Sequence, residues 1–250
     1  MSHNPMKPLR RSLTSLPGFN PETQPVVPGT VLQPLAPNCV QLDFINKAFS
    51  CQVQWSIEPV VSAAYHNDAI QAGDVVPAAV FFPLVQRESG VHVLFTRRAA
   101  HLSKHAGQIS FPGGRIDAGD RSVVDAALRE THEEIGIDRT YVQLIGTHPG
   151  FVTSTGYLMT PVIGLLKPGF TVRPNRSEVD EVFEVPLSVL MDPAAHRLHK
   201  TLLPDGSHSL YFSMSHGPYF IWGATAVVLR NFYHYLAAAH NVLSGNSPGR

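Results

Sequence analysis

Cysteine is scarce in this 250-residue chain, which has only Cys39 and Cys51. Two thiols cannot build a disulfide framework, nor fill a tetrahedral zinc site by themselves. Neither has an adjacent basic residue to mark it as a nucleophile, so reduced thiols in a cytoplasmic protein are the expectation. Charge is thin as well: 15% of residues carry one, and 19 acids balance 19 lysines and arginines. That neutrality speaks against a general nucleic-acid or membrane-surface binder, whose affinity rests on excess positive charge. No apolar run approaches the roughly 18 residues of a membrane span. At 44% apolar, the chain can nevertheless fill a core.

Proline is plentiful but unevenly placed. Eight of the 21 prolines fall within residues 1–37, and each fixes its own backbone and removes a donor, against helix and central strand alike. Lys7, Arg10 and Arg11 precede any acid, as in a targeting peptide, but the prolines spoil the amphipathic helix such a peptide needs. Residues 1–70 therefore read as a proline-rich arm with short helices. One helix is expected over 43–49, started by Asp43, and residues 55–64 are expected to cover a hydrophobic edge. The arm packs against the main domain as an edge or supports a homodimer.

Residues 71–245 alternate strand and helix signals. The runs 75–86 and 91–97 flank Glu88-Ser89-Gly90, a hairpin signal. Residues 122–136 carry helical periodicity. Further strands are expected at 141–146, 158–166, 181–186, 208–214 and 219–222, and a closing helix at 223–243. The pattern suggests a mixed α/β/α sandwich. The aromatics Phe220, Trp222, Phe232, Tyr233 and Tyr235 read as core.

Charge is unevenly distributed inside that domain. From Ser89 to Ile116 there is no carboxylate, while Arg97, Arg98, Lys104 and Arg115 are present with His101 and His105. Immediately afterwards come Asp117, Asp120, Asp125, Glu130, Glu133, Glu134 and Asp138, and a second group follows at Glu178, Asp180, Glu181 and Glu184. A polyanionic substrate with a divalent metal requires this pairing, donors and positive charge for one and hard oxygens for the other. A solvated acidic face is the competing reading.

Helical geometry separates the two. Val124, Leu128, Thr131 and Ile135 form one stripe facing the core, and Glu130, Glu133 and Glu134 cluster away from it. Three carboxylates at i, i+3 and i+4 repel one another, and a divalent cation would remove that repulsion. Arg129 is placed to orient the cluster. Ahead of the helix, Phe111-Pro112-Gly113-Gly114 offers paired glycines whose backbone can approach a phosphate closely.

Residues 113–137 (GGRIDAGDRSVVDAALRETHEEIGI) resemble the Nudix box. Arg129-Glu130-Thr131-His132-Glu133-Glu134-Ile135-Gly136 fits its second half, while Asp120 replaces the early glutamate and stands one residue too far from Arg129. Upstream, Leu94-Phe95-Thr96-Arg97-Arg98-Ala99 leads through Gly107 to Phe111-Pro112-Gly113-Gly114 with the spacing of coenzyme A diphosphatases of that superfamily. Ser103 replaces an arginine of their signature, with Lys104 beside it as a point charge lacking the bidentate fork. The resemblance continues through Ser154-Thr155-Gly156-Tyr157, the segment from Glu178 to Leu187 and Tyr219-Phe220-Ile221-Trp222-Gly223.

The resemblance implies a Nudix-type α/β/α sandwich with a mixed β-sheet. It implies a hydrolase using magnesium or manganese to cleave coenzyme A, or an acyl derivative, into 3',5'-ADP and 4'-phosphopantetheine or its acyl form. Glu130, Glu133 and Glu134 would hold the metal, and one of them would also accept a proton from water. Glu178 would add a ligand or general base from a loop, and Arg129 would brace the carboxylates. Arg97, Arg98, Lys104, His105, Gln108, Gly113 and Gly114 would contact the substrate. Because of Ser103, hydrolysis of ADP-ribose or a dinucleotide cofactor is the alternative.

Overall fold

The computed structural model describes residues 12–58, 75–103 and 105–245. Its centre is strand β2, Val76–Arg87, in which every residue from 78 to 85 is buried. Burial on both faces explains why this strand reads as an unbroken apolar run instead of an alternation. It turns through Glu88 and Ser89 into β3, Gly90–Arg98, with Arg87 opposite Gly90. On the other edge β2 runs parallel to Tyr157–Leu166, here β8, while all its other pairings are antiparallel. The mixed sheet expected from the sequence is present.

Short segments complete this sheet: β4 (Ile109–Ser110) beside β3, β5 (Gly113–Arg115) beside β2, and β6 (Val142–Thr147) and β7 (Phe151–Val152) beside β8. Strand β9, Val179–Pro186, pairs with β3. Two prolines lie in the central strand, where a missing N–H is usually intolerable. Odd-numbered residues of β2 point their N–H groups towards β3 and β5, as Phe81 does to the Pro112 carbonyl. Pro83 falls between the stretches paired with β5 (78–80) and β3 (84–87), so no ladder bond is lost there, while Pro77 at the strand's start still accepts the Ile116 N–H and forgoes only the return bond.

Helix α2, Val123–Ile135, covers one face of the sheet. It is started by Ser122, whose hydroxyl accepts from the Asp125 N–H at 3.1 Å, and stopped by Gly136 in the left-handed conformation. Leu128, Thr131 and Ile135 pack inward as the stripe predicts, against Ala79, Phe81, Val85 and Leu94. The opposite parity of the strands, Phe82, Leu84 and Phe95, packs on Ala224–Leu243, a long helix whose apolar residues run almost all round, as in a core helix. One layer of helix on each side of the sheet makes the α/β/α sandwich.

The strands expected at 208–214 and 219–222 pair with each other, and they belong to a second sheet whose other two strands the residue pattern does not announce. Val26–Val27 (β1), Arg197–Leu202 (β10), His208–His216 (β11) and Tyr219–Trp222 (β12) form an antiparallel four-stranded sheet in that order. The arm supplies its edge strand, a position that tolerates neighbouring prolines. Helix α1 of the arm, Leu42–Phe49, begins after Gln41, with Asp43 inside its first turn and no side-chain cap. Asp43 favours the helix through the dipole and does not start it as expected. Ile45, Ala48 and the buried free thiol Cys39 join the same core as the long helix, which is numbered α4 after the single turn α3 at Leu187–Leu190. Lys7, Arg10, Arg11 and residues 59–64 of the expected edge cover lie outside the described residues. Among the described residues no helix is long and apolar enough to cross a membrane.

Candidate active site

The site is assembled where β5 crosses α2. Gly114 sits so close to the helix that a Cβ built there would come 2.5 Å from the Glu130 carboxylate. A side chain at that position would displace the glutamate, so this second glycine is what lets the strand descend onto the acids. Its neighbour Gly113 donates its N–H to Glu134 Oε2 at 3.3 Å. The descent buries Glu134 to 4% exposure, whereas the wheel alone placed it on the polar side of the helix.

Arg129 is the hub of the acidic cluster. Its guanidinium makes a bidentate contact with Asp120, Nε to Oδ1 at 3.0 Å and Nη2 to Oδ2 at 2.9 Å. Nη1 reaches Glu130 at 3.0 Å and Glu133 at 3.1 Å, and Nη2 also donates to the Arg115 carbonyl at 3.0 Å. Charge-assisted bonds of this fork-like kind fix orientation as well as supplying energy. In the sequence Asp120 stands out only as a departure from the motif. Here it braces Arg129 from the turn after β5, where its Oδ2 also accepts the Asp117 N–H at 2.8 Å.

The carboxylates nearest the sheet are electrostatically uneasy. Burial pushes the Glu134 carboxyl up to about 8, against donation from Gly113 and the pull of Arg98, while Glu130 and Glu178 add repulsion. Glu130 is also raised by burial, more than Arg129 lowers it, with Glu133 and Glu178 again repelling. Glu178, on the loop before β9 with its Oε1 held by Asn175 Nδ2 at 3.3 Å, repels both. Arg98 Nη1 stands 4.0 Å from Glu134 Oε1, and among the described residues the buried Arg98 Nε has no hydrogen-bond partner.

Other expected contacts are not brought together. Arg97 follows the opposite strand parity, pairs with Glu181 at 3.3 Å and lies 5.4 Å over the Tyr219 ring, on the α4 side of the sheet. His105, with φ 57°, and Gln108 bond each other at 2.7 Å in the loop after β3. Lys104 lies outside the described residues. Glu133 is about half exposed and is held by Arg129. Phe232, Tyr233 and Tyr235 are buried core residues, as expected.

Among the described residues, no three carboxylate, histidine or cysteine side chains converge as a ready-made metal cage. Arg129 draws Glu130 and Glu133 to itself while Glu134 lies on the sheet side. The donor chemistry nonetheless fits a divalent cation. The set consists of hard oxygens only, and the two carboxyls that resist ionisation do so because of burial and like-charge neighbours. A bound cation would relieve both effects.

Comparison with known proteins bears on this geometry. Residues 75–205 match the NUDIX domain model. The Nudix hydrolase NudL of Shigella boydii serotype 4 is 41% identical over 153 residues, 61% of this chain and 79% of that protein. Among solved structures, the Nudix hydrolase RenU of M. smegmatis aligns over 47% of this chain and 74% of its own, at 24% identity and a TM-score of 0.40. An Ap4A hydrolase of C. elegans aligns over 48% and 86%, at 20% identity and a TM-score of 0.39.

Proposed function

This chain belongs to the Nudix family, hydrolases of pyrophosphate bonds, and on that premise we propose that its substrate is coenzyme A or an acyl-coenzyme A. The diphosphate would be cleaved to give 3',5'-ADP and 4'-phosphopantetheine or its acyl form. The observation that carries the hydrolytic part is Glu134: a 4%-exposed carboxyl raised to about 8, seated between a backbone N–H and further acids. With a cation bound, its ionisation would no longer be resisted, and a carboxylate so placed could accept a proton from water.

Glu130, Glu133 and Glu134 are the residues to hold magnesium or manganese, with Glu178 as a further ligand or base. A bound divalent ion supplies charge neutralisation at the diphosphate and a lowered pKa for water. Arg129, fixed by Asp120, keeps Glu130 and Glu133 in register with the buried glutamate. Arg98 is the substrate cation best supported by position, since it borders Glu134 with an Nε that no described residue engages. The phosphates would thus lie between an arginine and a carboxylate cluster, with Gly113 and Gly114 close to them. Lys104, His105 and Gln108 remain the proposed outer contacts of the adenosine phosphates, whereas Arg97, on the other face with Glu181 and Tyr219, is not among them.

Coenzyme A itself is supported by the run from Leu94 to Ala99 and its spacing to Phe111-Pro112-Gly113-Gly114. Ser103 favours the second reading, ADP-ribose or a dinucleotide cofactor, because it removes a bidentate phosphate donor from that run. Incubation with magnesium and a panel of coenzyme A, acetyl-coenzyme A, ADP-ribose and NADH, followed by product separation, tests both. The expected products are 3',5'-ADP and phosphopantetheine species. Preference for ADP-ribose would overturn the coenzyme A reading.

A further inference from the structure

The loop carrying Glu178 is not free to find its own place. Helix α2 ends with carbonyls that have no partner within the helix. Two of them are satisfied by this loop: the Arg173 N–H donates to the Ile135 carbonyl and the Asn175 N–H to the Glu134 carbonyl, both at 2.8 Å. Gly136 permits the approach. It is in the left-handed conformation, and a Cβ there would meet the Arg173 Cβ at 2.9 Å.

Asn175 then commits its remaining polar atoms to the path towards Glu178. Its carbonyl accepts the N–H groups of Glu178 and Val179 at 2.9 and 2.8 Å. Its Oδ1 accepts from the Ser177 N–H at 3.2 Å and the Ser177 hydroxyl at 2.7 Å. Its Nδ2 donates to Glu178 Oε1 at 3.3 Å. One residue therefore binds the backbone of the buried glutamate at one end and the side chain of the loop glutamate at the other. An unbound Glu178 carboxylate would swing away from the cluster, since Glu130 and Glu134 repel it.

The geometry points to Asn175 as a positioning residue: it holds the Glu178 carboxylate in register with Glu134, so that both face the same divalent cation. The inference rests on the metal-dependent reading above and assigns within it a role to a residue that touches neither substrate nor metal.

Asn175→Asp separates positioning from loop architecture. The aspartate keeps an acceptor for Ser177 but places an anion where Glu178 needs a donor. Manganese binding to the full chain, without substrate, is measured for wild type, Asn175→Asp, Glu178→Gln and the double variant. Loss of an outer-shell partner typically costs about 10–100-fold in metal affinity or activity, so Asn175→Asp is expected to weaken manganese binding about tenfold or more. In the Glu178→Gln background the same change should cost less than about twofold, since coupling vanishes when the partner is gone.

Undiminished binding by Asn175→Asp overturns the role, and so does an equal loss in both backgrounds, which would mean that Asn175 acts only through the helix end. If the aspartate variant melts early, Asn175→Ser replaces it, because the serine hydroxyl can accept from Ser177 but is too short to reach Glu178. A wild-type chain that binds no manganese overturns the metal-dependent reading and this role together. Intact manganese coupling in a chain that cleaves none of the panel substrates would leave Asn175 assigned and only the substrate wrong.

Discussion

Two arginines organise the two halves of the molecule, and they differ in what they leave over. Arg230, in α4, is 1% exposed and pairs with the fully buried Glu58 of the arm, which also accepts from His234 at 2.9 Å. Its Nη2 reaches the Thr30 carbonyl at 3.3 Å, and its guanidinium lies 4.3 Å over the Phe212 ring. Asn231 accepts the Glu58 N–H at 2.9 Å, and the Tyr233 hydroxyl donates to the Gln33 carbonyl. This cluster is closed, with opposite charges matched and buried. Arg129, by contrast, is shared among Asp120, Glu130 and Glu133 and leaves Glu134 buried with a surplus of negative charge around it. The same guanidinium–carboxylate chemistry therefore locks the arm in one place and holds acids apart for a ligand in the other. Unbalanced charge at low exposure is the physical mark on which the proposed site rests.

The sharpest way to break the contrast is to remove the surplus. Glu134→Gln should lower kcat by about 10²–10⁴-fold, the range for a lost general base, while the variant folds normally. The sign of its stability effect is opposite to that of an ordinary lost contact. With its ionisation resisted up to about 8 against an ordinary 4.5, the wild-type carboxyl costs the metal-free fold stability as pH rises through that interval. Thermal melts of the metal-free proteins from pH 4.5 to 8 should show the variant gaining on wild type as pH rises. Undiminished hydrolysis by this variant would refute the role of Glu134.

The closed cluster should respond in the reverse way. Glu58→Gln leaves Arg230 buried without its counter-charge, a change of about 3–5 kcal/mol when one partner of a buried pair is removed. Urea unfolding measures the loss, and the folded fraction should retain kcat. Burial alone would raise the Glu58 carboxyl, but bonds and charge from His234 and Arg230 hold it down at about 2. Its contribution is therefore present above the ordinary value of 4.5 and lost as pH falls towards 2, so wild type and variant should converge in that window. A constant gap across it would show that the ion pair is not the stabilising element.

Smaller again is the brace itself. Asp120→Asn keeps one acceptor for Arg129 but not the charged fork, and about a tenfold loss in kcat/KM is expected, the lower end for an outer-shell partner. A loss as large as that of Glu134→Gln would place Asp120 among the groups that contact metal or substrate.

Much of this was readable in the residues. The stripe of Leu128, Thr131 and Ile135 and the periodicity over 122–136 depend on local spacing, so the helix and its three glutamates could be set out from the sequence alone. What spacing could not supply was contact across the fold. Glu134 is buried because β5 lies over it, and Arg97 parts from Arg98 because successive strand residues point to opposite faces. Asn175 gave no signal at all, its role arising from a loop meeting a helix end forty residues earlier in the chain. Half of the second sheet escaped notice because β1 has only two residues and β10 has no clean alternation.

The arm's grip on α4 also bears on how the protein should be cut for laboratory use. A fragment trimmed to the matched span of residues 75–205 would discard α4, stripping the cover from Phe82, Leu84 and Phe95. One that kept α4 but began at residue 75 would abandon Arg230 in a greasy interior with no anion beside it. Either truncation would be expected to precipitate, so a soluble catalytic unit has to include Thr30 and Glu58, both of which hold Arg230.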